Sequence, residues 1–435
     1  MANTPFFHKG GIYMLDIMEL TGGRITTEAV QAAIDRASRE KRVLYFPAGE
    51  YSVASLTLRD NSALYLAKDA VIKAATEEDA WKSCPTRPLL RCDGAENVSI
   101  RGEGTIDGMG AFFAVEKGER NKTPYRMDRL IWLRNAKNVL IEGVRLVESV
   151  GWTLHIDLCE NVLIDGVIIR NPTWRKRHNG DGIDITSSEN VTIMNCDIVT
   201  GDDAICLKSI DYTEGKDHRD TPRPVMENIF VYNCRLATTC NACKIGTETV
   251  GDIRDVHFEK IMVMKHPDIE KESPDARPIG DFGPLSAMAV ESNDGGKVTD
   301  ISFKDFLIED CDSPLFVLLQ RRKSYVKAPP EGSIENVTAE NIICKRAHRA
   351  SLVLAQEDMK IGKVTLRKVM IGSEEPPHES YDPRRPTGRE YPDPYNFGTF
   401  PAFGLYARGA EVEMGEDVVF TNKNAAGRPA VDIQK

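Results

Sequence analysis

The sequence lacks several features that would assign it to common classes of protein. No apolar run approaches the roughly 20 residues that a membrane-spanning helix needs, so we predict no membrane partner. The opening MANTPFFHKGG has no charged segment followed by an apolar one, and we therefore expect no signal peptide in the sequence as given. That expectation leaves a cytoplasmic protein and a mature secreted or periplasmic form both open. The formal net charge of -10 and the pI near 5.5 argue against a nucleic-acid partner.

Paired metal-ligand motifs are also lacking, although the chain has 10 cysteines. Cys240 and Cys243 have CxxC spacing, but no second CxxC or HxxxH accompanies them, so we predict no metal site and no cofactor. Cys196 in VTIMNC and Cys234 in IFVYNC occupy the same place in two strand-like runs. A free cysteine in such a run is typically a small buried hydrophobic residue, which predicts thiols stacked in an interior.

Helical periodicity is scarce, and one segment carries it convincingly. From Thr26 to Lys41 the apolar residues recur on one side, and Thr26 or Thr27 can cap the first turn. A short helix before the first strand is suited to cover the open end of a stacked β-structure. We therefore predict an N-terminal capping helix.

A short β-rich phrase repeats through most of the chain. It consists of a polar opener, β-branched residues at alternate positions, a polar corner and a second apolar run, at Asn97-VSIRG, Asn138-VLIEG, Asn161-VLIDG, Asn190-VTIMN, Asn228-IFVYN, Asp255-VHFEK, Asp300-ISFKD, Asn336-VTAEN and Lys363-VTLRK. Repeats without intervening helices exclude a βαβ barrel and predict an all-β solenoid, in which the corner asparagines form hydrogen-bonded ladders. We predict a single domain over 1–435, with the cap at about 1–45, coils at about 46–372, a surface strap at about 373–401 and final strands at 402–435.

Two copies of a carboxylate-bearing phrase stand at the centre of these repeats. Setting Ile183 over Ile205 places Asp181 on Asp203, and Asp202 lies beside them. The offset of about 22 residues is close to one turn of a β-solenoid, and neighbouring strands lie roughly 4.8 Å apart. Because three acids are costly to hold so close together, we interpret Asp181, Asp202 and Asp203 as a catalytic group. A solvated turn cluster or a calcium site is the alternative.

The NGDGID and GDDAI phrases, in this order and at this spacing, resemble those of glycoside hydrolase family 28, the polygalacturonase and rhamnogalacturonase family. TTEAVQAAID, YFPAGEY, IRGEGTIDGMG and VGWTLHIDLCENVLI extend the resemblance over nearly the whole chain. The resemblance implies a single-stranded right-handed parallel β-helix and hydrolysis with inversion at the anomeric carbon. It also implies that Asp202 is the general acid and that Asp181 and Asp203 activate the water. The implied partner is a pectin-like or related polysaccharide or oligosaccharide, bound by a monomer.

The chain departs from the family pattern in two places. The family usually has a Gly-His-Gly phrase on the next coil, and aligning Ile245 with Ile205 puts Asn241 where that histidine would be. Family members that cut galacturonate carry an Arg-Ile-Lys phrase that holds the sugar carboxylate, whereas SAMAVESNDGG supplies Glu291 there. We therefore expect an enzyme that does not rely on a galacturonate clamp. A neutral or deoxygenated sugar, such as rhamnose, beside the scissile bond fits better.

Several other residues are candidates for substrate binding, and each has a structural alternative. Lys208 and Lys244 either contact substrate or balance the charge of the aspartates. His178 either lines the cleft or is an exposed loop residue. The other candidates are His155, Asn179, Asn241 and Glu248. Asp184 is either functional or a structural corner carboxylate. Two other functions also stay open, namely a polysaccharide lyase and a non-catalytic glycan-binding or adhesin solenoid.

Overall fold

Short strands form nearly all of the regular structure. A computed structural model describes residues 14–82, 84, 88–113, 128–171, 179–211, 225–265, 283–322 and 329–434. The helices in these ranges are Ile17–Thr21, Thr27–Glu40, Glu78–Trp81 and Gly110–Phe113, with one 3-10 helix at Pro394–Phe397. Within the same ranges, no helix combines the length and the apolar character that crossing a membrane would need.

The strands form two sheets, and every strand pairing in both is parallel. One, the main sheet, has 21 strands: Leu15–Asp16, Val43–Phe46, Gly49–Val53, Ala63–Leu66, Ala70–Ala74, Glu96–Gly102, Thr105–Asp107, Lys137–Glu142, Arg145–Val147, Glu160–Asp165, Ile168–Arg170, Glu189–Met194, Asp197–Thr200, Met226–Tyr232, Arg235–Thr238, Ile253–Met264, Lys297–Ile308, Ser333–Ala347, Ile361–Ser373, Ala410–Met414 and Val419–Asn422.

The other, the site sheet, has 12 strands: Leu56–Thr57, Leu90–Asp93, Arg129–Arg134, Trp152–Asp157, Ile183–Thr186, Ile205–Ser209, Asn241–Thr249, Ser286–Ser292, Ser313–Leu319, Ser351–Ala355, Leu405–Arg408 and Val431–Gln434. The chain alternates between the two sheets, so each strand of the site sheet lies on the next one along the sequence. The fold is a right-handed parallel β-helix, and the predicted fold class is confirmed.

The capping helix is present with nearly the predicted bounds. It runs over Thr27–Glu40, and the Thr26 hydroxyl accepts a hydrogen bond from the backbone amide of Ala29 at 3.2 Å. It ends at Lys41, which adopts the left-handed conformation (φ 52°). Val30, Ala33, Ile34 and Ala37 are buried against the first coils, so the helix covers the end of the stack as its apolar face predicts.

The interior is one stack of apolar side chains from Leu15 to Ala407. Ile183 lies opposite Ile205, which confirms the predicted offset between the two acidic coils. All ten cysteines are free, and all except Cys84 are buried. Cys196 and Cys234 follow one another on neighbouring coils in this stack, as their shared position in the repeat predicts.

Ladders of asparagine side chains hold the corners of the coils in line. Asn138 Nδ2 donates to Asn97 Oδ1 (3.2 Å), and Asn228 Nδ2 donates to Asn190 Oδ1 (3.0 Å). These four residues have φ between 56° and 59°, the left-handed region that asparagine tolerates well. The corner asparagines therefore satisfy each other across coils, which confirms the predicted ladder.

We predict that Gly182→Ala destabilises the protein. A Cβ at Gly182 would lie 2.4 Å from the carbonyl oxygen of Ala204, which is backbone of the next coil and cannot turn aside. Overpacking of this kind typically costs about 1–3 kcal/mol. Urea unfolding should show this loss.

Gly180→Ala is the matched control, because no atom of the described residues lies within 4 Å of a Cβ there and the backbone has no positive φ. Equal stability of the two variants would contradict the close approach of the two coils at Gly182.

Candidate active site

Asp181 and Asp203 lie just ahead of two adjacent strands of the site sheet, two residues before the paired Ile183 and Ile205. Both are buried, and a carboxylate oxygen of each lies within 4.8 Å of the other. Asp202 is partly exposed, and its Oδ1 accepts a hydrogen bond from the Asp203 backbone amide at 2.9 Å. The structure therefore brings the three predicted carboxylates together in one cluster.

The following coil is in a different register from the one we expected. Cys243, and not Ile245, lies opposite Ile205, so the alignment of Ile245 with Ile205 is wrong by two residues. Asn241 consequently stands opposite Asp203. Its backbone N and its Nδ2 both donate to Asp203 Oδ1, at 3.0 and 2.7 Å. At 1% exposure, the Asn241 side chain orients this carboxylate from within the protein.

Two buried lysines supply the positive charge of the site. Lys244 Nζ lies 3.1 Å from Asp203 Oδ2. Lys208 Nζ lies 2.5 Å from Asp184 Oδ1, 3.7 Å from Asp181 Oδ2 and 4.3 Å from the centre of the Trp152 ring. With exposures of 5% for Lys208 and 2% for Lys244, the geometry favours the interpretation that both balance the aspartates.

The carboxylates differ in their affinity for a proton. Burial and the nearby Asp184 and Asp202 raise the pKa of Asp181 well above its usual range. Burial would also raise the pKa of Asp203, but Lys244, Lys208 and hydrogen bonds outweigh it and hold that pKa below its usual range. The protein thus places a carboxyl that retains a proton beside a carboxylate that stays ionised.

Asp184 is fully buried behind the three acids. Burial raises the pKa of Asp184 to about 6, although Lys208 opposes that rise. Asp184 Oδ2 accepts no hydrogen bond. Of the two roles that the sequence leaves open for it, this placement favours a structural partner of Lys208.

His155 is completely buried and lies on the strand that precedes Asp184, directly opposite it. Arg129 Nε donates to His155 Nδ1 at 2.8 Å, so the neutral ring carries its proton on Nε2 and donates to Thr186 Oγ1 at 2.9 Å. Burial, reinforced by Arg129 and Lys208, keeps the pKa of His155 well below its usual range. This environment favours a structural role for His155 beside the site. Because the side chain is completely buried, it has no surface with which to contact a sugar.

The other predicted substrate-binding residues are spread around the site. Asn179 is exposed, two residues before Asp181, with a left-handed backbone (φ 57°). The Glu248 side chain is 14% exposed and lies 4.0 Å from Arg322. His178 lies outside the described residues. Asn179 is thus the most accessible of the described candidates.

Glu291 lies on the strand after Lys244 and is fully buried. Its Oε2 accepts a hydrogen bond from Asn293 Nδ2 at 3.1 Å, and its Oε1 accepts none from the residues that the structure describes. Burial raises the pKa of Glu291 to about 8, against the opposing effect of Lys244. A neutral glutamic acid therefore occupies the place where the family resemblance implies a cation.

Sequence reasoning missed the link between Tyr391 and Lys244: against the effect of burial, and after Asp203 and Glu291, Tyr391 of the strap raises the pKa of Lys244. About 150 residues separate the two in the chain, and no repeat pattern connects them. A half-exposed tyrosine between Pro, Asp and Arg residues gives no signal of its own. The strap therefore belongs to the surroundings of the candidate site.

Cysteines also lie near the acids, which raises the question of a metal. Asp181, Asp203 and Cys206 form one close group of potential ligands, and Asp202, Asp203 and Cys240 form another. Burial raises the pKa of both thiols well above the usual range, so the thiolates that a soft metal requires are disfavoured. Lys208 and Lys244 already provide positive charge here. These residues do not fit a cation site.

Comparisons with known proteins agree with this arrangement. The sequence model of glycosyl hydrolases family 28 matches residues 39–214, which include all three aspartates. Over these residues the chain is similar to family 28. A probable polygalacturonase of Vitis vinifera is 28% identical over 265 residues, or 56% of this chain and 52% of that protein. The chain thus spans about half of that relative's length.

Solved structures share the fold. An exopolygalacturonase of Thermotoga maritima superposes with a TM-score of 0.66 at 19% identity, covering 92% of each chain. A family 28 exopolygalacturonase of Yersinia enterocolitica gives a TM-score of 0.65 at 16% identity, covering 97% of this chain and 77% of that one. At such identities the likeness establishes the β-helix alone. The matched segment of family 28 ends before Asn241 and Glu291, where the chain departs from the pattern.

We predict that Glu291→Gln removes a pH-dependent loss of stability. The pKa of Glu291 is raised from 4.5 to about 8, so the stabilisation that accompanies its neutral form is complete below about 4.5 and is lost as the pH rises through 8. A pKa shift of one unit corresponds to about 1.4 kcal/mol. We therefore expect the free energy of unfolding to fall by a few kcal/mol over this pH range.

The measurement is the free energy of unfolding against pH for wild type and Glu291→Gln. The free energy of unfolding of the wild type should fall relative to that of the variant between pH 4.5 and 8. Replacement of an exposed glutamate, Glu189→Gln, is the control and should follow the wild type. Parallel curves for Glu291→Gln and wild type would show that Glu291 ionises without cost.

Proposed function

We propose that this protein is an inverting glycoside hydrolase that acts on a pectin-like or related polysaccharide or oligosaccharide. The observation that carries the proposal is the cluster of Asp181, Asp202 and Asp203 on adjacent coils. Its buried members are charge-balanced by Lys208 and Lys244. The similarity to family 28 over residues 39–214 supports the reaction class, since a probable polygalacturonase is among the chain's relatives.

The geometry supports a different catalytic role for each of the three acids. Asp203 is the ionised base, because Lys244 and Asn241 stabilise its charge. A water held between oxygens of Asp181 and Asp203, which are within 4.8 Å, could hydrogen-bond to both. Asp202, the most accessible of the three, is the general acid that protonates the leaving oxygen.

The substrate would not be held by a galacturonate clamp. Lys244 is engaged with Asp203, and Glu291 is a buried acid, so neither offers an exposed cation to a sugar carboxylate. A neutral or deoxygenated sugar such as rhamnose beside the scissile bond fits this lining better. Digestion of a glycan panel that includes homogalacturonan and rhamnogalacturonan tests the choice.

Two other functions make different predictions in the same assays. A polysaccharide lyase would release products with a new double bond that absorbs in the ultraviolet, whereas a hydrolase would not. A non-catalytic solenoid would bind glycan equally well after Asp202→Asn and would release nothing. The polar contacts of Asp203 with Lys244 and Asn241 favour a hydrolytic base over both alternatives.

We predict that Asp202→Asn and Asp203→Asn each lower kcat by about 10²–10⁴-fold, the usual effect of removing a general acid or base. Asp181→Asn should lower kcat as well, because an amide then replaces one of the two carboxyl groups that hold the water. Circular dichroism should show an unchanged fold. Asp165→Asn is the control: Asp165 accepts a ladder hydrogen bond from Asn195 at 2.7 Å, and an asparagine oxygen can accept it equally well. Full activity in Asp181→Asn or Asp202→Asn would contradict the assignment.

We also predict that Lys244→Met moves the acidic limb of the pH–activity profile to higher pH. Without this ammonium the ionised form of Asp203 is less stable, so the pKa of Asp203 rises. The acidic limb of the kcat/KM profile should then move to higher pH by about one unit or more. Lys244→Arg keeps the charge and should shift the limb less. An unmoved limb in a folded Lys244→Met protein would mean that Asp203 is not the base.

A further inference from the structure

The outward face of the site sheet changes character along the stack. One column of register-paired, outward-facing residues runs from the first acidic coil to the last coils. Its members are Asp184, Cys206, Lys244, Ala289, Phe316, Leu352 and Tyr406. It is polar where it passes the catalytic aspartates and apolar beyond Ala289. A sugar chain lying along this face could therefore use the polar part only.

The apolar part is covered by the strap, defined here as residues 374–404 between two strands. Phe397 packs on Phe316 with ring centres 6.0 Å apart, and Phe400 packs on Tyr406 at 4.7 Å. All four rings are buried in a cluster separate from the interior core. Arg349 Nη1 also donates to the Gly398 carbonyl at 3.2 Å. The strap is thus a packed part of the fold.

The middle of the strap, at Glu390 and Tyr391, reaches the edge of the candidate site. The Glu390 carbonyl accepts a hydrogen bond from Gln320 Nε2 at 3.3 Å, and Gln320 Nε2 also donates to Asn293 Oδ1 at 3.0 Å. Asn293 in turn donates to Glu291 beside Lys244. The next residue, Tyr391, is 53% exposed. A large exposed ring thus stands where the polar part of the face ends.

We infer that the strap closes this end of the substrate groove, so that the enzyme cleaves near a chain end and Tyr391 contacts the terminal sugar. A sugar chain cannot continue over the last coils, because Phe397 and Phe400 occupy that face. An aromatic ring with a polar tip suits a terminal sugar, which presents an apolar face and hydroxyls. The inference rests on the proposed function and specifies its mode of action.

Product sizing tests the inference. Rhamnogalacturonan and homogalacturonan polymers, and short oligosaccharides of each labelled at the reducing end, are digested and sampled from the earliest times. One short product from the start, with slow loss of polymer viscosity, is expected, and the label shows which chain end is attacked. Early products of many lengths with rapid viscosity loss would overturn the inference and leave the hydrolase proposal intact. No cleavage of any of these substrates would overturn both.

Tyr391→Ala should weaken the selection of chain ends. We expect KM for the short labelled oligosaccharide to rise by about five- to tenfold, with a smaller change in kcat, since roughly 1.4 kcal/mol corresponds to tenfold. Tyr381→Ala is the control, because Tyr381 lies in the same strap but packs against His378 (ring centres 5.9 Å apart). Unchanged KM and product sizes in Tyr391→Ala would overturn the assignment of Tyr391 to the terminal sugar.

Discussion

The spacing of the β-helix is the constraint on which the site depends. Side chains at the same position of successive coils cannot lie much more than one strand separation apart, roughly 4.8 Å. Asp181 and Asp203 occupy one such position, and their oxygens approach within 4.8 Å. Two like charges at that distance in a buried setting are unfavourable. Compensating charge must therefore be supplied nearby. Lys208 on the coil of Asp203 and Lys244 on the next coil provide it.

The buried charges of the site balance in a simple way. Four buried carboxyl groups, Asp181, Asp184, Asp203 and Glu291, share the space with two buried ammonium groups. Asp184 and Asp203 make the closest contacts with Lys208 and Lys244, at 2.5 and 3.1 Å. Asp181 and Glu291 are then the two whose protons are retained most easily, and burial raises the pKa of both. A site of this kind is close to neutral before a substrate arrives.

The sequence predicted the fold and the acidic pair because both depend on a local repeat. Ile183 and Ile205 are 22 residues apart with no long insertion between them, so one alignment fits. The next coil is harder, because an insertion precedes it and Cys243 and Ile245 are both apolar at alternate positions. The structure resolves the choice, with a register shift between Leu207 and Ser209 that no local pattern reveals.

The strap shows why a contact distant in sequence escapes such reasoning. Any outward face of a β-helix must be solvated, bound to a ligand or covered. Phe316, Leu318, Leu352 and Leu354 are too apolar for solvent, so a covering segment is required there. Strand alternation does not reveal this need, because residues on both faces of these coils are apolar and resemble a continuous core. The cover ends where the polar face begins, and there the Glu390 carbonyl meets Gln320, which is linked through Asn293 to Glu291.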